Sequence, residues 1–131
     1  MRLAYVCLLL ACALPVVCAG IAKSGRIGKP LQEGGYDNRD PRAWLARQAG
    51  FRARANAAQA NSFEALPLFI AAVLSAIQMG APAFWVDALA AAFIGMRVLY
   101  IAAYLSDRDL LRTFFWLLAV ACCVALFFCG V

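Results

Sequence analysis

The chain has 131 residues, 66% hydrophobic and 15% charged, with mean hydropathy +0.80 and net charge +5. A soluble domain is roughly half apolar, so this composition excludes a water-soluble globular protein and reads as an integral membrane protein. The chain has no histidine, no serine-nucleophile arrangement and no metal-ligand spacing, so it offers no hydrolytic triad and no metal site.

Residues 3–22 carry no charge, and about 20 residues is the length a helix needs to cross a hydrocarbon layer of ~30 Å. Arg2, the apolar run and Val17-Cys18-Ala19 also resemble a cleavable signal peptide. Cleavage would put the strongly basic segment that follows on the outer side, against the charge rule, so a retained first helix is preferred. A lipoprotein reading around Cys18 is weaker, because Val17 is bulky where a small residue is expected. Residues 23–54 form a loop carrying Lys23, Arg26, Lys29, Arg39, Arg42, Arg47, Arg52 and Arg54. Its glycines show no phosphate-binding spacing. Within it Asp40-Pro41 predicts a helix start, an N-cap followed by proline in the first turn. Gly50 predicts a kink, the alternative being one unbroken helix to Met79.

Two less pure spans follow, about 55–79 and 84–105, joined by the uncharged turn Gly80-Ala81-Pro82-Ala83. A fourth, 113–131, is charge-free and comes after Arg108 and Arg112. The expected fold class is all-α, a multi-pass bundle of four membrane helices in a single domain over 1–131. By the positive-inside rule both basic loops are cytoplasmic, and the termini and the Gly80 turn face outward. Attraction of this asymmetry to anionic lipids accounts for the net charge without a nucleic-acid partner. Cys7, Cys12, Cys18, Cys122, Cys123 and Cys129 all lie in the first and last spans, which fits neither a disulfide framework nor a zinc site; they read as small apolar fillers.

The informative stretch is Gln59-Ala60-Asn61-Ser62-Phe63-Glu64-Ala65-Leu66-Pro67-Leu68-Phe69. A carboxylate inside a membrane helix costs about 3 kcal/mol and needs a partner. Arg97, with Tyr100 and Tyr104 on its face, offers one. Glu64 lies about 22 Å from the outer end of its helix and Arg97 about 20 Å, so the two are level. Because the helices run antiparallel, Tyr100 falls near Asn61 in depth and Tyr104 near Ala57. At 100° per residue Arg54, Ala57, Asn61, Glu64 and Leu68 share one sector, whereas Arg52, Asn56, Gln59 and Phe63 lie roughly opposite. A helix polar on both faces cannot face lipid, and packing against copies of the chain is the simplest way to cover it. Two readings stay open at this point: a buried Glu64–Arg97 pair with Asn61 as interhelical glue, or a ligand site.

The Gln59–Phe69 stretch resembles the second-helix signature of the MAPEG superfamily, membrane-associated proteins in eicosanoid and glutathione metabolism. Arg97-Val98-Leu99-Tyr100-Ile101-Ala102-Ala103-Tyr104 resembles its third-helix signature. Four spans, loop positions and length agree, so the likeness covers most of the chain. It implies an up-down four-helix bundle forming a homotrimer, with sites between subunits open toward the cytoplasm. It further implies a bacterial-type member, in a bacterial inner membrane, with membrane lipids and a lipophilic small molecule as partners.

The resemblance also implies roles. Arg54, Gln59, Asn61, Glu64, Arg97, Tyr100 and Tyr104 would hold glutathione as co-substrate, with Glu64 taking its amino group and no metal involved. Arg112 would stabilise the thiolate, with Arg108 open as an alternative. The expected activity is that of a glutathione-dependent transferase or peroxidase acting on lipophilic electrophiles. The family's glutathione-binding arginine, one turn before the asparagine, is here Ala57, a departure for which Arg54 would substitute only with the ligand lower in the site. The alternative is a non-catalytic lipid-binding or scaffolding trimer. A small four-helix exporter is a third class, but such exporters carry their carboxylate in the first helix, which here has none.

Overall fold

A computed structural model describes residues 3–131, and those residues form helices and turns without strands. The helices are α1 (Leu3–Lys23), α2 (Pro41–Ala46), α3 (Phe51–Gln78), α4 (Ala83–Leu105) and α5 (Asp109–Phe128). Among the described residues four of these, α1, α3, α4 and α5, are long and apolar enough to cross a membrane. They pack as an up-down bundle: α1 ends beside the start of α3, and α5 ends beside the turn between α3 and α4. The protein is thus the all-α integral membrane four-helix bundle that composition implied.

Lipid tails are as apolar as leucine, so helices in a bilayer gain little from hiding apolar surface and associate by close packing, which small residues permit. The buried residues of α1 are Ala4, Cys7, Ala11, Pro15, Cys18 and Ala22, recurring every three or four positions along one stripe. Those of α3 include Ala55, Ala58, Ser62, Ala72 and Ala76. Three of the six cysteines, Cys7, Cys18 and Cys123, are buried as small residues are here, and all six are free. Phe69 and Phe93 add a bulky tie between α3 and α4, stacked with ring centroids 3.9 Å apart and planes 6° from parallel. Pro15 and Pro67 sit inside helices that continue through them.

At one end Asp87 of α4 accepts a hydrogen bond of 2.9 Å from the Ala4 amide, satisfying one of the free N–H groups at the start of α1. Gly80, at φ +75°, ends α3 in the left-handed conformation that glycine adopts freely. Gly130 packs on Met79 so closely that a Cβ there would lie 2.8 Å from the Met79 Cβ.

The basic end is more elaborate. Arg52 Nη1 donates to the Ala22 and Ser24 carbonyl oxygens, capping the last turn of α1. Asp40 caps α2, its side chain accepting from the Ala43 amide at 3.3 Å, with Pro41 in the first turn. Gly50, at φ +65°, separates α2 from α3, so the unbroken-helix alternative does not hold. Two spanning helices start before their apolar segments, α3 at Phe51 rather than 55 and α5 at Asp109 rather than 113, and α5 stops short of the expected 131, at Phe128. Apolarity marks where lipid can lie, whereas backbone hydrogen bonding decides where a helix stops. At 28 residues α3 is about 42 Å long and outreaches the hydrocarbon layer.

Candidate functional site

Ser62 lies on the buried stripe of α3 and donates its hydroxyl hydrogen to the Ala58 carbonyl oxygen at 2.8 Å. Its oxygen then accepts from Arg97 Nη2 at 3.4 Å. Arg97 is only 2% exposed, the largest fully buried side chain of the bundle, and its guanidinium carbon lies 4.2 Å from the centre of the Tyr100 ring. The direct Glu64–Arg97 bond expected from depth is therefore replaced by a Ser62–Arg97–Tyr100 contact. Depth matched the two charges, but depth does not fix direction around the helix axis: Ser62 and Glu64 lie about 200° apart on α3.

Glu64 lines the same cavity as Arg97 but makes no direct bond to it. It is exposed in the single chain and accepts from Asn61 Nδ2 at 3.4 Å. The Asn61 carbonyl oxygen Oδ1 is buried and has no partner.

On α4 the spacing Arg97, Tyr100, Tyr104 puts three side chains in one column. Tyr100 meets Tyr104 edge to face, with centroids 5.7 Å apart. Arg112, in the first turns of α5, covers the Tyr104 ring at 4.5 Å. Two guanidiniums thus bracket a tyrosine pair, each attracted to a ring face, an interaction that strengthens when desolvated.

Two adjoining cavities open on this column. One, of about 160 Å³, is lined by Asn61, Glu64 and Arg97 together with Leu68, Phe93 and Trp116. The other, of about 270 Å³, is lined by Asn61, Tyr100, Tyr104, Arg112, Thr113 and Trp116. Asn61 and Trp116 border both. One cleft between α3, α4 and α5 therefore gathers Asn61, Glu64, Arg97, Tyr100, Tyr104 and Arg112.

Two candidates lie elsewhere. Arg54 Nε donates to the Leu105 carbonyl oxygen at 3.3 Å, tying the start of α3 to the end of α4. Gln59 lines neither cavity, and its Oε1 is buried without a partner. Arg108 precedes α5 and is exposed, so of the two arginines there it is Arg112 that reaches the cleft. Ser62 was missed by sequence reasoning; the signal available was its place one turn after Ala58 on a stripe of small residues.

Chemically, the cleft offers two guanidiniums, a carboxylate, an amide and an apolar wall of Ala65, Leu68, Phe93 and Val120. That suits a ligand carrying both charges, with an apolar molecule beside it.

The chain matches the model of the MAPEG family over residues 3–131. No curated protein and no solved structure matches it. Since the family match runs through all four membrane helices and the cleft between them, the chain belongs to the MAPEG family.

Proposed function

We propose that the protein is a homotrimeric glutathione-dependent transferase or peroxidase whose cleft holds glutathione against α3, α4 and α5 and delivers its thiolate to lipophilic electrophiles from the bilayer. The observation that carries this reading is the convergence of Asn61, Glu64, Arg97, Tyr100, Tyr104 and Arg112 on one cleft. Glu64 and Asn61 would receive the amino end of the peptide, and the tyrosines its backbone. A thiol is mostly protonated at neutral pH, and a guanidinium within hydrogen-bond reach favours the thiolate that attacks. Arg112 is the group for this, since it stands over Tyr104 at the edge of the cleft. The bond formed is sulfur to the electrophilic carbon, or to peroxide oxygen in the peroxidase reaction, with the leaving group taking the electron pair.

The trimer is supported by the exposure of Glu64. A carboxylate exposed on a spanning helix is costly against lipid, and a second copy of the chain would cover it. Equilibrium dialysis of glutathione against the protein in nanodiscs, with the oligomer counted by native mass spectrometry, tests the reading. Saturable binding with one site per chain in a trimer is expected; absence of binding overturns it.

One observation favours a second reading, a non-catalytic lipid-binding trimer. Ala57 stands where family members that bind glutathione have an arginine, and Arg54 is committed to Leu105. Retention of a lipophile through purification, with no conjugation of a reactive aromatic electrophile, would select it.

A further inference from the structure

The connection between α1 and α3 encloses a second polar cavity, of about 240 Å³, at the basic end of the bundle and apart from the cleft. Two glycines make it possible. A Cβ on Gly35 would lie 1.9 Å from the Lys29 carbonyl oxygen, so no side chain fits there. Gly34, at φ +78°, passes over Arg26, and a Cβ on it would come within 3.3 Å of Arg26 Nη1. The loop closes on the same residue, whose carbonyl accepts from the Tyr36 amide at 2.9 Å and the Lys29 amide at 3.4 Å.

Arg26 is thereby fixed under the loop with its guanidinium only partly used. Nη1 donates to the Glu33 carbonyl oxygen at 3.4 Å, while Nε is buried and has no partner. A buried charged donor without an acceptor is costly, and it calls for an acceptor that the chain does not supply. Arg47 and Gln48 line the same cavity, with the Gln48 side-chain amide oriented by its bond to the Trp44 carbonyl oxygen at 2.9 Å. Trp44, 3% exposed, forms the floor and is held edge to face by Tyr36 at 5.2 Å.

The charge count narrows the ligand. Arg26 and Arg47 contribute two positive charges and Asp37 one negative, 2 − 1 = +1. Asp37 Oδ1 also accepts from the Arg39 amide at 2.9 Å. Guanidinium forks match the paired oxygens of a phosphoryl group, and a cavity of net charge +1 neutralises a singly charged diester better than a doubly charged monoester. The site also lies between Lys23, the end of α1, and Phe51, the start of α3, which is the level of lipid headgroups.

We propose that this cavity binds a singly charged phosphodiester, held by the Arg26 and Arg47 guanidinium groups over Trp44. The diester comes either from a phospholipid headgroup or from a small soluble diester.

The full chain in dodecyl maltoside, titrated in native mass spectrometry, tests the proposal. The probes are dioleoyl phosphatidylglycerol, dioleoylglycerol with the same tails but no phosphodiester, and soluble glycerophosphoglycerol. The phosphatidylglycerol is expected to bind as one strong adduct per chain and the dioleoylglycerol to bind negligibly. Arg26→Gln and Arg47→Gln are each expected to weaken the adduct about tenfold, the loss of one charge-assisted contact. Arg47 is exposed, so Arg47→Gln should keep the parent melting temperature even where Arg26→Gln disturbs the loop. Binding of the lipid alone assigns the diester to the membrane, and equal binding of glycerophosphoglycerol assigns it to a soluble ligand. Equal binding of dioleoylglycerol, undiminished binding to Arg47→Gln, or no binding of either diester would overturn the proposal.

Discussion

The two charges that sit level in the membrane, Arg97 and Glu64, meet opposite fates. Arg97 is enclosed by its own chain, with Ser62 accepting from it and Tyr100 under its guanidinium, and it is 2% exposed. Glu64 stands at the open side of the same cleft, exposed in the single chain, with only Asn61, three residues earlier on the same helix, donating to it. One chain therefore finishes the cationic half of the cleft and leaves the anionic half facing outward. Arg97 belongs to the folding of the protomer, and Glu64 belongs to whatever lies beside it.

This contrast can be broken or sharpened at four positions. The largest effect is expected at the mouth of the cleft: Arg112→Ala should lower glutathione turnover by about 10²-fold while leaving glutathione binding within a few-fold, the mark of a group that acts on the thiolate. Steady-state conjugation assays paired with dialysis check it; equal losses in both would make Arg112 a binding residue only.

Arg97→Ala comes next. It empties the largest fully buried side chain and removes the contact with Tyr100, a loss of about 2–4 kcal/mol in unfolding stability in detergent. Arg97→Lys should recover little of it, because an ammonium cannot stack flat on the ring.

Glu64→Gln should then separate the two halves. Stability of the isolated chain is expected to stay within about 0.5 kcal/mol, whereas glutathione affinity should fall about tenfold. A destabilisation as large as that of Arg97→Ala would erase the distinction between enclosed and outward charge.

The smallest change is a gain. Ala57→Arg restores the arginine one turn before Asn61, and a bidentate pair with a peptide carboxylate should tighten glutathione several-fold, to about tenfold. Unchanged affinity on isothermal titration would place the ligand's carboxylate away from that turn.

The bundle was readable because a membrane leaves few choices: an apolar run of the right length must be a helix. The cleft was readable because antiparallel helices joined by the short Gly80 turn convert distance along the chain into depth, which set Tyr100 beside Asn61. Direction around each axis was harder to read. The direct bond from Glu64 to Arg97 gave way to Ser62. The cavity over Arg26 left no pattern at all, because it depends on Gly35 meeting the Lys29 carbonyl, a contact set by loop geometry and not by spacing.

The placement of the tryptophans gives the molecule internal optical sensors. Trp116 borders both parts of the cleft, Trp44 floors the cavity over Arg26, and Trp85 stands 56% exposed near the opposite end as a bystander. Emission from a Trp44→Phe protein would follow occupancy of the cleft, and emission from a Trp116→Phe protein would follow the loop, so unlabelled material can report each compartment by its own colour shift.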